Sequence, residues 1–161
     1  MQLPSTSPQV IIAVLVGVAA VVDDLKRRHI ANWIPVSALI AGVLWQMSRH
    51  GWMGLAYALG GTAVGFAVFL VFYLLGGMGG GDVKLMAGFG ALLGAGQVVE
   101  AALWTAGVGG LISVGVLSVR TLRGFLGTAA PAGPGLVSRN DSIPYAPAIA
   151  LGVWLSLIRK G

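Results

Sequence analysis

The sequence predicts an all-α fold, a polytopic membrane helix bundle of about six transmembrane helices, forming one domain over residues 1–161. Three observations predict it. Hydrophobic residues make up 57% of the chain and charged residues 9%, with a mean hydropathy of +0.88. A soluble domain carries roughly 25% charged residues, so this chain lacks the polar surface that water demands. The few charges are gathered into clusters that separate apolar segments. Finally, 26 glycines suit helices packed closely in lipid. Soluble enzymes, disordered tails and nucleic-acid binders fit poorly. The net charge of +5 comes from 10 Lys+Arg against 5 Asp+Glu, a complement of loop charges and not a nucleic-acid patch.

The first apolar segment runs from about Pro8, a good first helical residue, to Val22, and ends against Asp23-Asp24-Leu25-Lys26-Arg27-Arg28-His29. No basic region precedes it and no small-residue cleavage site stands out after it, so it is read as retained and not as a signal peptide. The second runs from about Trp33 to Met47 and stops at Arg49-His50. Residues 51–81 hold no charge; they read as a helix from Trp52 to Leu75 and a glycine tract from Gly76 to Gly81, followed by Asp82. A fourth span from about Leu85 to Val99 and a fifth from Ala101 to Val119 are separated weakly around Gln97 and Glu100. The Gly-, Pro- and Ser-rich stretch Gly124–Ser142 reads as a loop, a functional lid or a disordered connection. The last span covers about Ile143 to Ile158.

Six spans put the loops after the first, third and fifth on one side. That side collects Lys26, Arg27, Arg28, Lys84, Arg120, Arg123 and Arg139, against Arg49, Arg159 and Lys160 on the other. The bias predicts that the first side is cytoplasmic and that the N-terminus faces outward. Asp23, Asp24, Asp82 and Asp141 fall on the same side.

Acids at a membrane edge are functional candidates, because an ionised, unpaired carboxylate there costs several kcal/mol. Each also has a structural reading. Asp24 is spaced to pair with Arg28 and Asp23 with Arg27, at i,i+4. Asp82 is placed to cap the fourth span, although a cap alone does not call for the glycines before it. Two carboxyls sharing a site hold one proton between them, and such a pair can activate water and protonate a leaving amine without metal or covalent intermediate. With no Cys, neither thiol chemistry nor Cys-ligated metal is available. His29 and His50 alone make a zinc site improbable on composition. No metal and no cofactor are expected.

Three stretches resemble the type IV prepilin peptidases, membrane aspartyl proteases of the GxGD type. Gly79-Gly80-Gly81-Asp82-Val83-Lys84-Leu85 is similar to the segment bearing that family's second catalytic aspartate. Asp24-Leu25-Lys26-Arg27-Arg28-His29-Ile30-Ala31-Asn32 resembles the segment that opens on the first, with Ala31 where the family has Pro. Ile143-Pro144-Tyr145-Ala146-Pro147-Ala148-Ile149-Ala150-Leu151-Gly152 is similar to the family's last span. The resemblance selects Asp24 over Asp23, since the family's acid lies eight residues before an Asn or Asp, here Asn32. It implies catalysis by Asp24 and Asp82, and prepilin or pseudopilin substrates cut after Gly, just before an apolar helix; substrate contacts are expected at Gly79, Gly80, Gly81, Asn32 and Pro144. It further implies a short form without the methylating insert, as in Flp (tight-adherence) pilus systems, acting at the cytoplasmic face of a bacterial inner membrane.

Lys84 reads as a cytoplasmic-face anchor against lipid headgroups or as a cation that lowers the pKa of a nearby acid, and the Lys26–Arg28 cluster is expected to serve orientation and lipid contact. The glycine tract is expected to let an extended substrate add as a strand beside Asp82. Trp33, Trp45, Trp52, Trp104 and Trp154 mostly lie near predicted span ends and read as an interfacial belt. Two rivals remain open: a small proton-coupled transporter and a non-catalytic subunit of a secretion assembly. Oligomeric state is not legible.

Overall fold

Pro8 opens α1 (Pro8–Arg27), which continues past Val22 and carries both Asp23 and Asp24 in its last turns. The other helices are α2 (Trp33–His50), α3 (Trp52–Leu74), α4 (Gly80–Leu93), α5 (Ala95–Phe125) and α6 (Ala146–Ile158). This computed structural model describes residues 7–27, 29–75, 78–125 and 145–158, among which there is no strand. The all-α bundle is as the apolar segmentation predicts.

Two glycines set helix boundaries, the first where the Arg49-His50 cluster already marks one. Gly51 (φ +56) ends α2, and Gly94 (φ +78) separates α4 from α5; both angles are left-handed, a region glycine adopts at no steric cost. The polarity of Gln97 and Glu100 places the second of these boundaries too late. Gln97 is buried, and its Nε2 donates to the Ser156 carbonyl at 3.4 Å, so it is an interior hydrogen-bonding residue and not a loop marker. The fourth helix correspondingly starts at Gly80, ahead of Leu85.

α1, α3 and the Ala95–Ile112 part of α5 are long and apolar enough to cross a membrane. At 1.5 Å per residue the 14 residues of α4 extend about 21 Å, short of the roughly 30 Å hydrocarbon core. α4 is instead the hub: every residue from Leu85 to Leu93 is buried, as expected of a helix apolar on all sides. The outside of the bundle is apolar too, with Leu15 65%, Leu44 63% and Leu103 70% exposed. Apolar exposure on this scale marks a surface facing lipid and not water.

Without a hydrophobic drive between helices, close backbone contact holds them together. On α3, Gly54, Ala58, Gly61 and Gly65 form one buried stripe. A methyl added at Gly61 would overlap the Gly90 carbonyl oxygen of α4, and one at Gly90 would overlap the Gly61 carbonyl oxygen. Gly42 of α2 meets α4 likewise: its methyl would stand 2.5 Å from the Leu92 nitrogen.

Long-range bonds fix the directions. Gln9 and Gln46 both donate to the Leu92 carbonyl, at 3.1 and 3.2 Å, tying the start of α1 and the end of α2 to the end of α4. Trp154 of α6 donates to Ala13 of α1 at 3.2 Å. The end of α1 and the starts of α2, α4 and α6 therefore share the opposite end of the bundle.

Candidate active site

Asp24 sits in the last turn of α1 and Asp82 in the first turn of α4, each only 8% exposed. A carboxylate this buried needs hydrogen-bond donors, and each has a backbone one. Asp24 Oδ2 accepts the Ala146 N–H at 3.2 Å, from the start of α6. Asp82 Oδ2 accepts the Gly79 N–H at 3.1 Å. Asp82 is thus the third residue of its helix and reaches back to the N-cap, the carboxylate half of a capping box. This corrects the reading of Asp82 as the cap itself, which assumed a helix starting later.

Asp82 lies outside the three membrane-crossing segments. Burial pushes its pKa up to about 7; the Gly79 N–H opposes that rise and the nearby Asp24 charge adds to it. Asp24 at the end of α1 and Asp82 at the start of α4 thus lie at one end of the bundle, although far apart in sequence. Protonated and ionised forms of Asp82 are both accessible near neutral pH, which general acid–base chemistry requires.

The neighbouring acid is engaged differently. Asp23 pairs with Arg27 at 3.3 Å and accepts the Ala31 N–H at 2.8 Å. It closes the turn that follows α1 and so holds the segment behind Asp24. Asp23→Ala is expected to lower stability by about 1 kcal/mol through the lost hydrogen bond, read as a reduced Tm in detergent, and Asp23→Asn by less because its amide oxygen still accepts. The alternative partner for Asp24, Arg28, lies outside the described residues.

Asn32 stands just before α2 but makes no side-chain cap bond. Its Oδ1 accepts from Lys84 Nζ at 3.1 Å. Lys84 is exposed, and it ties the turn after α1 to the helix that carries Asp82. Gly79 is extended (φ −83, ψ 155), whereas Gly80 and Gly81 are already helical. The expected strand-like edge is therefore corrected at Gly80 and Gly81, whose backbones are committed to the first turn of α4. Gly81 has a packing reason instead: an added methyl would stand 3.3 Å from the Ile30 side chain, so glycine lets the turn after α1 lie against α4. Gly76, Gly77 and Pro144 lie outside the described residues. The structure adds one group that sequence reasoning missed, the backbone N–H of Ala146, which no side-chain pattern announces.

The sequence model of the type IV leader peptidase family matches residues 10–114. The chain belongs to the type IV leader peptidase family. No curated protein and no solved structure gives a match. The matched stretch includes Asp24, Asn32, Gly79, Gly80, Gly81 and Asp82. As a leader peptidase the chain is a protease built from membrane helices, in agreement with the resemblance carried by its first two motifs; the third, Ile143 to Gly152, lies beyond the matched residues. The helix that donates to Asp24, α6, lies beyond the matched residues.

Proposed function

We propose that this leader peptidase is an aspartic endopeptidase. It cleaves the short leader of type IV prepilin-like proteins after Gly, at the cytoplasmic face of a bacterial inner membrane, without methyltransferase activity. One observation carries the reading: two buried carboxyls, from the end of α1 and the start of α4, lie at one end of the bundle. The positive-inside bias assigns that end to the cytoplasm.

Asp24 and Asp82 share a single proton. The ionised member takes a proton from water as it attacks the scissile carbonyl, while the protonated member gives its proton to the carbonyl oxygen; on collapse the proton taken from water passes to the leaving nitrogen and the hydroxyl proton returns to the other carboxyl. The pair titrates as a unit, so neither role belongs to one residue. The Ala146 and Gly79 N–H groups hold the two carboxyls in place.

The pH dependence follows from the raised value. The shared proton is lost as pH rises past the Asp82 pKa of about 7, leaving two charges and no acid. On this mechanism kcat/KM falls about tenfold per pH unit above that point. A profile flat from about pH 6 to 9 would overturn the shared-proton mechanism. The function itself is tested by incubating purified protein with a prepilin in vesicles and looking for the shortened product. Asp23→Asn is expected to retain most activity, and a loss equal to that of Asp24→Asn would reverse the choice between the two neighbours.

A further inference from the structure

A cavity of about 140 Å³ lies between α3, α5 and the start of α6, lined by Phe69, Phe72, Met78, Thr105, Gly110 and Tyr145 among others. Two of these walls adjoin the groups that hold the acids. Met78 immediately precedes Gly79, which donates to Asp82, and Tyr145 immediately precedes Ala146, which donates to Asp24. The lining of the cavity thus comes within one residue step (~3.8 Å along the chain) of both donors. Its rim includes exposed Phe72, Ala106 and Gly110, on the apolar surface that faces lipid. A larger cavity of about 510 Å³, lined by Gln9, Gln46, Arg49 and Gln97, is at the other end of the bundle and distant from the acids.

Size and chemistry define the occupant. A dry apolar cavity of about 150 Å³ holds one benzene ring, so this one has room for a single large apolar side chain. α5 keeps it open with small residues, Ala102, Ala106, Gly109 and Gly110. An added methyl at Gly110 would meet nothing within 4 Å. On a lipid-facing helix whose neighbours Leu103 and Leu111 are 70% and 75% exposed, that local run of small residues leaves space beside the acids.

Resting on the peptidase reading of the acid pair, we infer that this cavity is a specificity pocket. It receives one large apolar side chain from the first helical turn of the substrate after the scissile bond, entering sideways from the lipid. Ala106 and Gly110 set its size. A bound substrate thereby places its membrane-embedded turn against α5 while its cleaved bond lies over the carboxyls.

The test fills the cavity. Prepilins carrying Ala in place of a large apolar residue at each of the first four positions after the cut are compared by kcat/KM. The wild-type enzyme is expected to lose about tenfold or more at one position, the usual worth of a filled apolar pocket. Gly110→Leu and Ala106→Leu are expected to lose about tenfold on the unaltered prepilin and little on that one Ala substrate, erasing the discrimination. Discrimination that survives filling, or an equal loss on every substrate, would overturn the pocket. A second measurement does not depend on turnover. The chain has no cysteine, so Ala106→Cys with Asp82→Asn carries a single thiol that a short bis-maleimide can bridge to single-cysteine prepilins. Cross-linking concentrated at one of those four positions supports the assignment. Cross-linking absent from all four, or spread evenly along the substrate helix as expected if lipid fills the cavity, overturns it. Wild-type cleavage that is abolished by Asp82→Asn would leave the peptidase reading standing in either case.

Discussion

Asp82→Asn is expected to abolish prepilin cleavage, lowering kcat/KM by at least about 10³-fold, and Asp24→Asn to do the same. Each substitution removes proton exchange while leaving the architecture alone. The amide oxygen introduced by Asp82→Asn can still accept the Gly79 N–H, which Asp82 Oδ2 accepts at 3.1 Å. The amide oxygen introduced by Asp24→Asn can likewise accept the Ala146 N–H, held at 3.2 Å by Asp24 Oδ2. Neither variant leaves a buried charge unpaired, so insertion into the membrane and recovery from detergent should match wild type. A general acid or base is worth about 10²–10⁴-fold. Groups that act as one unit give losses that do not add, so the double variant should be no slower than either single one. Activity near wild type in either variant would reject the pair. Asp24→Ala differs in kind, because it also removes the hydrogen bond from the start of α6 to α1, and its Tm should fall by an amount equivalent to about 1 kcal/mol.

The contrast between Asp23 and Asp24 shows how far the sequence reaches. Adjacent acids are chemically equal, and the i,i+4 spacing correctly offers Arg27 to Asp23. The same spacing offers Arg28 to Asp24, yet the Asp24 carboxyl is occupied by a backbone donor from the distant Ala146. A backbone N–H carries no side-chain signature, so this partner is invisible until α6 is packed against α1. The family motif, by contrast, is a local string and selects Asp24 directly.

Charge clusters marked the break between α1 and α2 and the end of α2 for a simple reason: ionised groups stay out of hydrocarbon. The rule fails where an uncharged polar residue lies inside. Gln46 and Gln97 are buried and bond to carbonyls of other helices, and treating Gln97 as a boundary displaced the start of α5. The glycine tract misled in another way. Glycine permits extended backbone without requiring it, and Asp82 reaching back to Gly79 favours helix from Gly80 onward.

Gly61→Ala is expected to destabilise the bundle severely, while Gly60→Ala, one residue away, should be neutral or mildly stabilising. Intrinsic propensity predicts the same sign for both, since Ala is favoured over Gly in a helix interior by about 1 kcal/mol. Packing separates them. A methyl at Gly60 meets nothing within 4 Å, whereas one at Gly61 would overlap the Gly90 carbonyl oxygen and stand 2.8 Å from the Gly94 Cα. Both obstacles are backbone, so no side chain can rotate away and α3 must move off α4. Overpacking costs typically about 1–3 kcal/mol and sometimes more, and here the displaced helix is the buried hub that carries Asp82. Gly61→Ala should therefore lower the Tm in detergent by several degrees or prevent recovery of a monodisperse protein, with cleavage falling in parallel. Equal melting of the two variants would mean that α3 and α4 do not meet at Gly61 and Gly90. Asp82 would then lack the packing that holds its helix at the same end of the bundle as Asp24.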